Sequence, residues 1–314
     1  MNIELRTEAV EYGVQVRRAL EAAGGDKLAR LAEREPERRA GLVAPVLADL
    51  GAWELEPRRD AVELEAAAAL CHSAGYWAAP YPVAERLSRP ADLDVDGLIV
   101  VSDFRPEGAV AGLDLRWAAV TLDGHRGGVE SAAPPRSPRT SAFVTELQVR
   151  PLDDNGAADV ALGLVLPCWT LLGMLDRVLE LARAHVLMRK QFGKPLAEFQ
   201  GVQFQLTDAE VERGGVEMLA RFALWSIQTG RADVVADALA LRLAAVEAAD
   251  IVFRVAHQLH GAIGFCDETT LSWLSRYSLP LRRLPFGLSG TVDQLTRRMG
   301  RSGLAGLFSD PMGV

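Results

Sequence analysis

Two stretches of this 314-residue chain carry side chains suited to holding an anionic cofactor. The first reads Arg189-Lys190-Gln191-Phe192-Gly193-Lys194-Pro195-Leu196, followed by Glu198-Phe199-Gln200 and then by Gln205, Leu206 and Asp208. Arg189 ends a helical pattern beside a break at Gly193-Lys194-Pro195. A guanidinium placed there can fork two hydrogen bonds onto a diphosphate. Phe192, three residues on, can pack on a flat ring system. The second stretch reads Gln258-Leu259-His260-Gly261-Ala262-Ile263-Gly264-Phe265. It closes a helical pattern with two small residues, Gly261 and Ala262, so the backbone of a cofactor can come close.

Composition narrows what such a site serves. Hydrophobic residues make up 49% of the chain and charged residues 24%, ordinary values for a globular protein. The net charge of −8 argues against a nucleic-acid binder, which needs a concentrated basic face. Cys71, Cys168 and Cys266 lie far apart without metal-ligand spacing and read as buried thiols in a reducing cytoplasm. The opening MNIELRTEAVEYG carries acids and lacks the apolar core of a signal peptide. No apolar run is expected to approach the roughly 20 residues of a membrane span. The expectation is a cytoplasmic protein that meets neither membrane nor nucleic acid.

The elements that must position the two stretches follow from hydrophobic period. Residues 1–92 are rich in Ala, Leu, Glu and Arg with apolar residues three and four apart, which predicts a helical domain. Residues 93–152 predict a small β-domain, with strands in LIVV (98–101), DLRWAAVTL (114–122) and SAFVTELQV (141–149). Turn-rich GHRGG and SAAPPRSPR separate them, and PPRSP reads as a surface loop. Residues 153–314 predict long helices again. Pro167 either opens one running to about Gln191 or kinks a longer one; the next two run from Pro195 to Thr229 and from Arg231 to His260. Phe222, Leu224, Trp225, Leu239, Leu241 and Leu243 put apolar side chains on more than one face, more than a single bundle seam is expected to cover. The fold class is mainly α: helical domain, reduced middle β-domain, C-terminal four-helix bundle.

The two stretches, at this separation and in this order of elements, resemble the acyl-CoA dehydrogenase family. The resemblance is strong over about residues 165–300, moderate over 1–90 (Leu50-Gly51, and Gly75 to Pro80) and weak over the β-domain. It implies FAD as cofactor. Its ADP half would be held by Arg189, Phe192, Gln200, Gln258, Leu259, His260, Gly261 and Ala262, with Thr291 and Asp293 on the cofactor side of the C-terminal motif. Ala262 stands where the family usually has glycine. Family members share the cofactor across a dimer: the flavin ring sits on one subunit's β-domain while the neighbour's helical domain holds the adenine end.

The same resemblance shows what is missing. The family's base is a glutamate before Gly-Thr near the C-terminus, where this chain has Ser289, or one about 26 residues before Arg189, where it has Gly163. A serine hydroxyl cannot take an α-proton at neutral pH without a base of its own. The family's flavin-ring signatures are absent from the β-domain, and Trp117 reads as a core residue rather than a cover for the ring. The helix over 160–175, on the substrate side, lacks the family's CoA arginine. The resemblance therefore implies a non-catalytic subunit of an α2β2 acyl-CoA dehydrogenase, similar to the short subunits of actinobacterial steroid catabolism. A full-length homologue would be the partner and hold most of the acyl-CoA substrate, with an electron-transfer flavoprotein as electron acceptor. Two alternatives stand beside it: a self-sufficient homo-oligomer with a relocated base, Glu180 or Asp176, and a flavin-free structural or regulatory subunit.

Overall fold

Two glycines set how the principal helices meet. The computed structural model describes residues 3–132 and 143–300. Its longest helix, α6 (Ala157–Met188), crosses α4 (Ala61–Tyr76) with backbone against backbone. A Cβ built on Gly173 of α6 would lie 1.9 Å from the carbonyl oxygen of His72, and one on Gly75 of α4 would lie 1.8 Å from that of Thr170. Only glycine allows this approach. α4 is capped by Asp60, whose carboxylate accepts from the amides of Val62 and Glu63. Around it stand α1 (Thr7–Ala23), α2 (Leu28–Arg34), α3 (Arg39–Ala48) and the short α5 (Val83–Leu87).

The sheet comprises β1 (Gly97–Val100), β2 (Glu107–Gly108), β3 (Trp117–Val120), β4 (His125–Ala132) and β5 (Thr145–Asn155), in the order β1-β3-β4-β5-β2. Only the β1–β3 pair is parallel. β4 occupies the segment expected to be a turn. The chain runs through Gly127-Gly128 without reversing, with register shifts on either side, between His125 and Gly127 and between Val129 and Ser131, and a Cβ on Gly127 would meet Val149 Cγ1 at 2.2 Å. PPRSP lies outside the described residues. Trp117 is 4% exposed and packs with Ile99, Val101, Val110 and Leu147 in a small core of the sheet's own. Arg126 ties the sheet to α6: it donates to Asp159 (2.8 Å), Asp92 (2.6 Å) and Asp154 (3.0 Å), and Arg58 pairs with Asp159 at 2.9 Å. These acids raise the Arg126 pKa further above its ordinary value, the Asp92 hydrogen bond most of all, against the pull of burial.

The remaining helices among the described residues are α7 (Gln200–Gln228), α8 (Val234–His260), α9 (Thr270–Arg283) and α10 (Leu288–Met299). α6 and α7 are joined by a hairpin of β6 (Lys190–Gln191) and β7 (Lys194–Pro195). Pro167 lies inside α6, the second of the two placements considered for it, and α7 opens at Gln200 rather than Pro195. α6 is also long and apolar enough to cross a membrane, contrary to expectation, but 78% of its most apolar window is buried inside the protein, as befits a core helix. Cys71 and Cys168 are buried as expected; Cys266 is exposed. Leu224, Leu239 and Leu241 are covered by the chain's own core. Phe222, Trp225 and Leu243 are half-buried, and among the exposed apolar residues are Phe204, Val211 and Met218, seven apart on α7, at 59%, 67% and 52% exposure.

Candidate cofactor site and the missing base

The end of α6 and the end of α8 come together. Arg189 caps α6, its amide donating to His185 O at 2.8 Å, and its carbonyl accepts from Leu196 across the hairpin at 2.8 Å. Its guanidinium is exposed and makes no hydrogen bond or ion pair among the described residues. His185, one turn back, stacks on His260 of α8 with ring centroids 4.3 Å apart and planes 24° apart. That stack brings the Arg189 segment beside Gln258, His260, Gly261 and Ala262. Gln258 is exposed in the last turn of α8. Gly261 has φ +63°, and a Cβ there would meet nothing within 4 Å. The surface beyond it is open to a ligand's backbone.

The other expected residues are placed differently. Phe192 sits at the hairpin tip with φ 51°, 91% exposed, its ring 6.3 Å from Phe199. Gln200 opens α7 and is exposed. Leu259 is turned into the core at 7% exposure. Thr291 is fully buried and its hydroxyl donates to Gly287 O at 3.0 Å, while Asp293 is exposed and paired with Arg297 at 2.8 Å. No hydrogen bond, ion pair or ring contact links Thr291 or Asp293 to Arg189 or Gln258 among the described residues. A ligand at this end of α8 would meet the backbone near Leu259, not its side chain.

These features suit the ADP half of a dinucleotide: an unpaired forked cation, an exposed amide side chain and an unobstructed glycine at one helix end. Sequence reasoning missed His185. A lone histidine in an apolar helix reads as filler, and its stacking partner lies on another helix.

Neither position expected to hold a base carries a carboxylate, and one of the two is closed to it. A Cβ on Gly163 would lie 2.6 Å from Val100 Cγ2, so the sheet occupies that space. Ser289 is exposed at the start of α10. Asp176 is held by His72 at 2.8 Å and Arg213 at 3.4 Å. Glu180 accepts from Tyr76 and pairs with Arg177 at 2.9 Å. Both are ion-paired surface acids.

Gly163 borders a cavity of about 100 Å3 where the helices meet the sheet, well short of the roughly 300–1,000 Å3 of ligand pockets. Arg39 closes it, donating to the carbonyls of Pro80 (2.8 Å), Ala109 (2.7 Å) and Ala111 (2.6 Å), with its guanidinium 3.9 Å above the Phe143 ring. Burial pulls Arg39 down to about 10. Glu85 also lines the cavity; burial holds its carboxyl above the ordinary range, against the attraction of Arg39.

Comparison with known proteins places this architecture. Residues 165–301 match the family described as acyl-CoA dehydrogenase, C-terminal domain. (R)-benzylsuccinyl-CoA dehydrogenase of Thauera aromatica is 32% identical over 104 residues, 33% of this chain and 26% of that enzyme. The chain thus spans about a quarter of that relative's length and 32% of the next one's. One chain of the ChsE4–ChsE5 complex from Mycobacterium tuberculosis superposes with a TM-score of 0.76 at 16% identity, over 97% of this chain and all of that one. A steroid acyl-CoA dehydrogenase, Tcur3481–Tcur3483 G363A, also gives 0.76, at 18% identity over 94% of this chain and 98% of that one. Residues 165–301 thus match an acyl-CoA dehydrogenase C-terminal domain, and the chain has the acyl-CoA dehydrogenase fold.

Proposed function

We propose that this chain is the non-catalytic subunit of a heteromeric, FAD-dependent acyl-CoA dehydrogenase, and that it grips the ADP half of a flavin whose ring sits on a longer partner. The observation that carries this reading is the pairing of an open, unpartnered Arg189 with a position 163 that the sheet has filled. The grip persists and the room for a base at 163 does not. Asp176 and Glu180 are spent in ion pairs, which weighs against a relocated base on α6.

In the assembly, a glutamate of the partner removes the α-proton of an acyl-CoA, whose acidity comes from hydrogen bonds on the thioester carbonyl. FAD supplies the acceptor for the β-hydrogen, which leaves as hydride, and an electron-transfer flavoprotein takes the electrons onward. This chain's part is to bind and orient. Arg189 offsets the diphosphate charge; Gln258 and the backbone at Gly261 and Ala262 hold the adjoining ribose side. The exposed heptad-spaced Phe204, Val211 and Met218 supply an apolar face for the partner. The heteromeric solved neighbours support that assembly, and the steroid enzyme among them suggests a steroid-derived CoA thioester as substrate.

The test is co-expression with a longer homologue from the same genome, followed by light scattering and flavin absorbance. A 2:2 complex carrying FAD is expected, with the isolated chain colourless and unable to reduce a dye. A well-behaved monomer that ignores every homologue, or a lone chain that is yellow and active, overturns the reading.

A further inference from the structure

Three of the chain's five histidines meet at the junction of α6 and α8. His185 and His260 stack as described, and His257, one turn before His260, stacks on Phe265 with centroids 4.3 Å apart and planes 14° apart. His260 Nδ1 lies 2.8 Å from Ala256 O. Because a carbonyl only accepts, Nδ1 carries the proton, and Nε2 of the neutral ring is left with a free lone pair. Neither nitrogen of His185 has a hydrogen-bond partner among the described residues, and the buried Nδ1 of His257 has none. The groups acting on these rings are cationic or neutral: His260 and Arg189 on His185, and His260 on His257. Burial first, then these neighbours, holds the imidazoles of His185 and His257 below the usual histidine range; burial alone does so for His260, against the Ala256 bond. No carboxylate pairs with any of them among the described residues. The C-terminal carbonyls of α6 and α8 lend a partial negative charge.

A core-filling histidine normally finds a hydrogen bond for each nitrogen. Here one ring nitrogen, His257 Nδ1, is buried without a partner, His260 Nε2 keeps its lone pair, and the rings are gathered beside a guanidinium that is unpaired among the described residues. That arrangement is short of one thing, an anion. Resting on the reading above, we propose that His185 and His260 form, with Arg189, a proton-taking clamp for the cofactor's diphosphate. His185 is thereby a further binding residue of this site. Binding would place two negative charges beside the stack and favour an imidazolium. With rings 4.3 Å apart a second proton would be repelled by the first, so the pair takes up about one proton at most. Arg189 remains charged throughout and supplies the constant part of the grip.

The test is calorimetry of FAD binding to the flavin-stripped heteromeric complex near pH 7, repeated in two buffers of different ionisation enthalpy. FAD is the right probe because its diphosphate stays fully ionised across this range, so any proton taken up goes to the protein. A buffer-dependent heat corresponding to a substantial fraction of a proton per site is expected. Binding should tighten as pH falls from 8.5 to 6.5. His185→Phe keeps an aromatic ring in the stack and His185→Gln keeps a hydrogen-bonding group without the charge. Both should abolish the proton uptake and flatten the pH dependence, with affinity at pH 6.5 falling about threefold to tenfold, the scale of one ordinary hydrogen bond gained or lost. If FAD binds the wild-type complex with heat independent of buffer, or if both variants keep the uptake, the clamp is overturned and the grip by Arg189 stands. If no FAD binds the complex at all, the functional reading falls, and the clamp with it.

Discussion

Replacing Arg189 separates a binding role from a structural one more cleanly than any other change in this chain. The guanidinium is exposed and bonded to nothing among the described residues, and the residue's backbone ties, Arg189 N to His185 O and Leu196 N to Arg189 O, survive truncation. Arg189→Ala should therefore leave the stability of the chain within about 0.5 kcal/mol of wild type. Its cost falls on the complex. A diphosphate enclosed at a subunit interface loses a forked, charge-assisted pair, which is worth about 2–4 kcal/mol, on the order of 30- to 1000-fold in FAD affinity. Lysine restores charge but not the fork, so Arg189→Lys should recover only part of it. The assay is flavin stoichiometry by absorbance after gel filtration of wild-type, lysine and alanine complexes, with unfolding midpoints measured beside it. An alanine variant that keeps full flavin while the partner's matching arginine proves essential would refute the division of labour. A variant that loses flavin only because it unfolds would refute the claim that Arg189 is structurally idle.

Other outcomes are equally direct. Gly173→Ala should cost about 2–3 kcal/mol or more in denaturant unfolding, since its Cβ would meet the backbone oxygen of His72 at 1.9 Å, while Gly41→Ala on α3, with nothing within 4 Å, should stabilise by about 0.5–1 kcal/mol. Ser289→Ala should leave turnover of the assembly nearly unchanged; a loss above about a hundredfold, the scale of removing a general base, would mean this subunit is not silent. Glu85→Gln should also spare turnover and should raise the unfolding midpoint at pH 8 but not at pH 4. Burial lifts the folded pKa of Glu85 above its ordinary 4.5, so the penalty for ionising it is absent below that value and grows as pH rises toward the folded pKa. Equal midpoint shifts at both pH values would show that Glu85 ionises freely in the fold.

The order helices, sheet, helices was legible because long amphipathic periods survive any detail of packing, and α8 begins and ends within a few residues of expectation. The lack of a carboxylate at 163 and 289 was equally legible, being a matter of residue type. What escaped notice depended on contacts between distant segments. β4 looked like a turn because Gly127 and Gly128 are turn formers, yet Gly127 is required by the Val149 side chain on the neighbouring strand. Leu224, Leu239 and Leu241 looked like an interface because their own helix wheels could not reveal which neighbours cover them. Cys266 looked buried by type, although the segment after α8 leaves it in solvent. The His185–His260 stack and the approach of Glu85 to Arg39 have no local signature.

The contact between Gly163 and Val100 has a historical side. A glutamate introduced at 163 by one substitution would collide with β1 before it could meet a substrate, and shortening Val100 alone would open a hole with no compensating gain. The way to a carboxylate at this position thus passes through a disfavoured single mutant whichever change comes first. Such a valley acts as a ratchet: a subunit that has let its sheet settle onto a bare helix is committed to its partner, and selection on the pair can refine the grip and the interface but cannot easily hand the chemistry back.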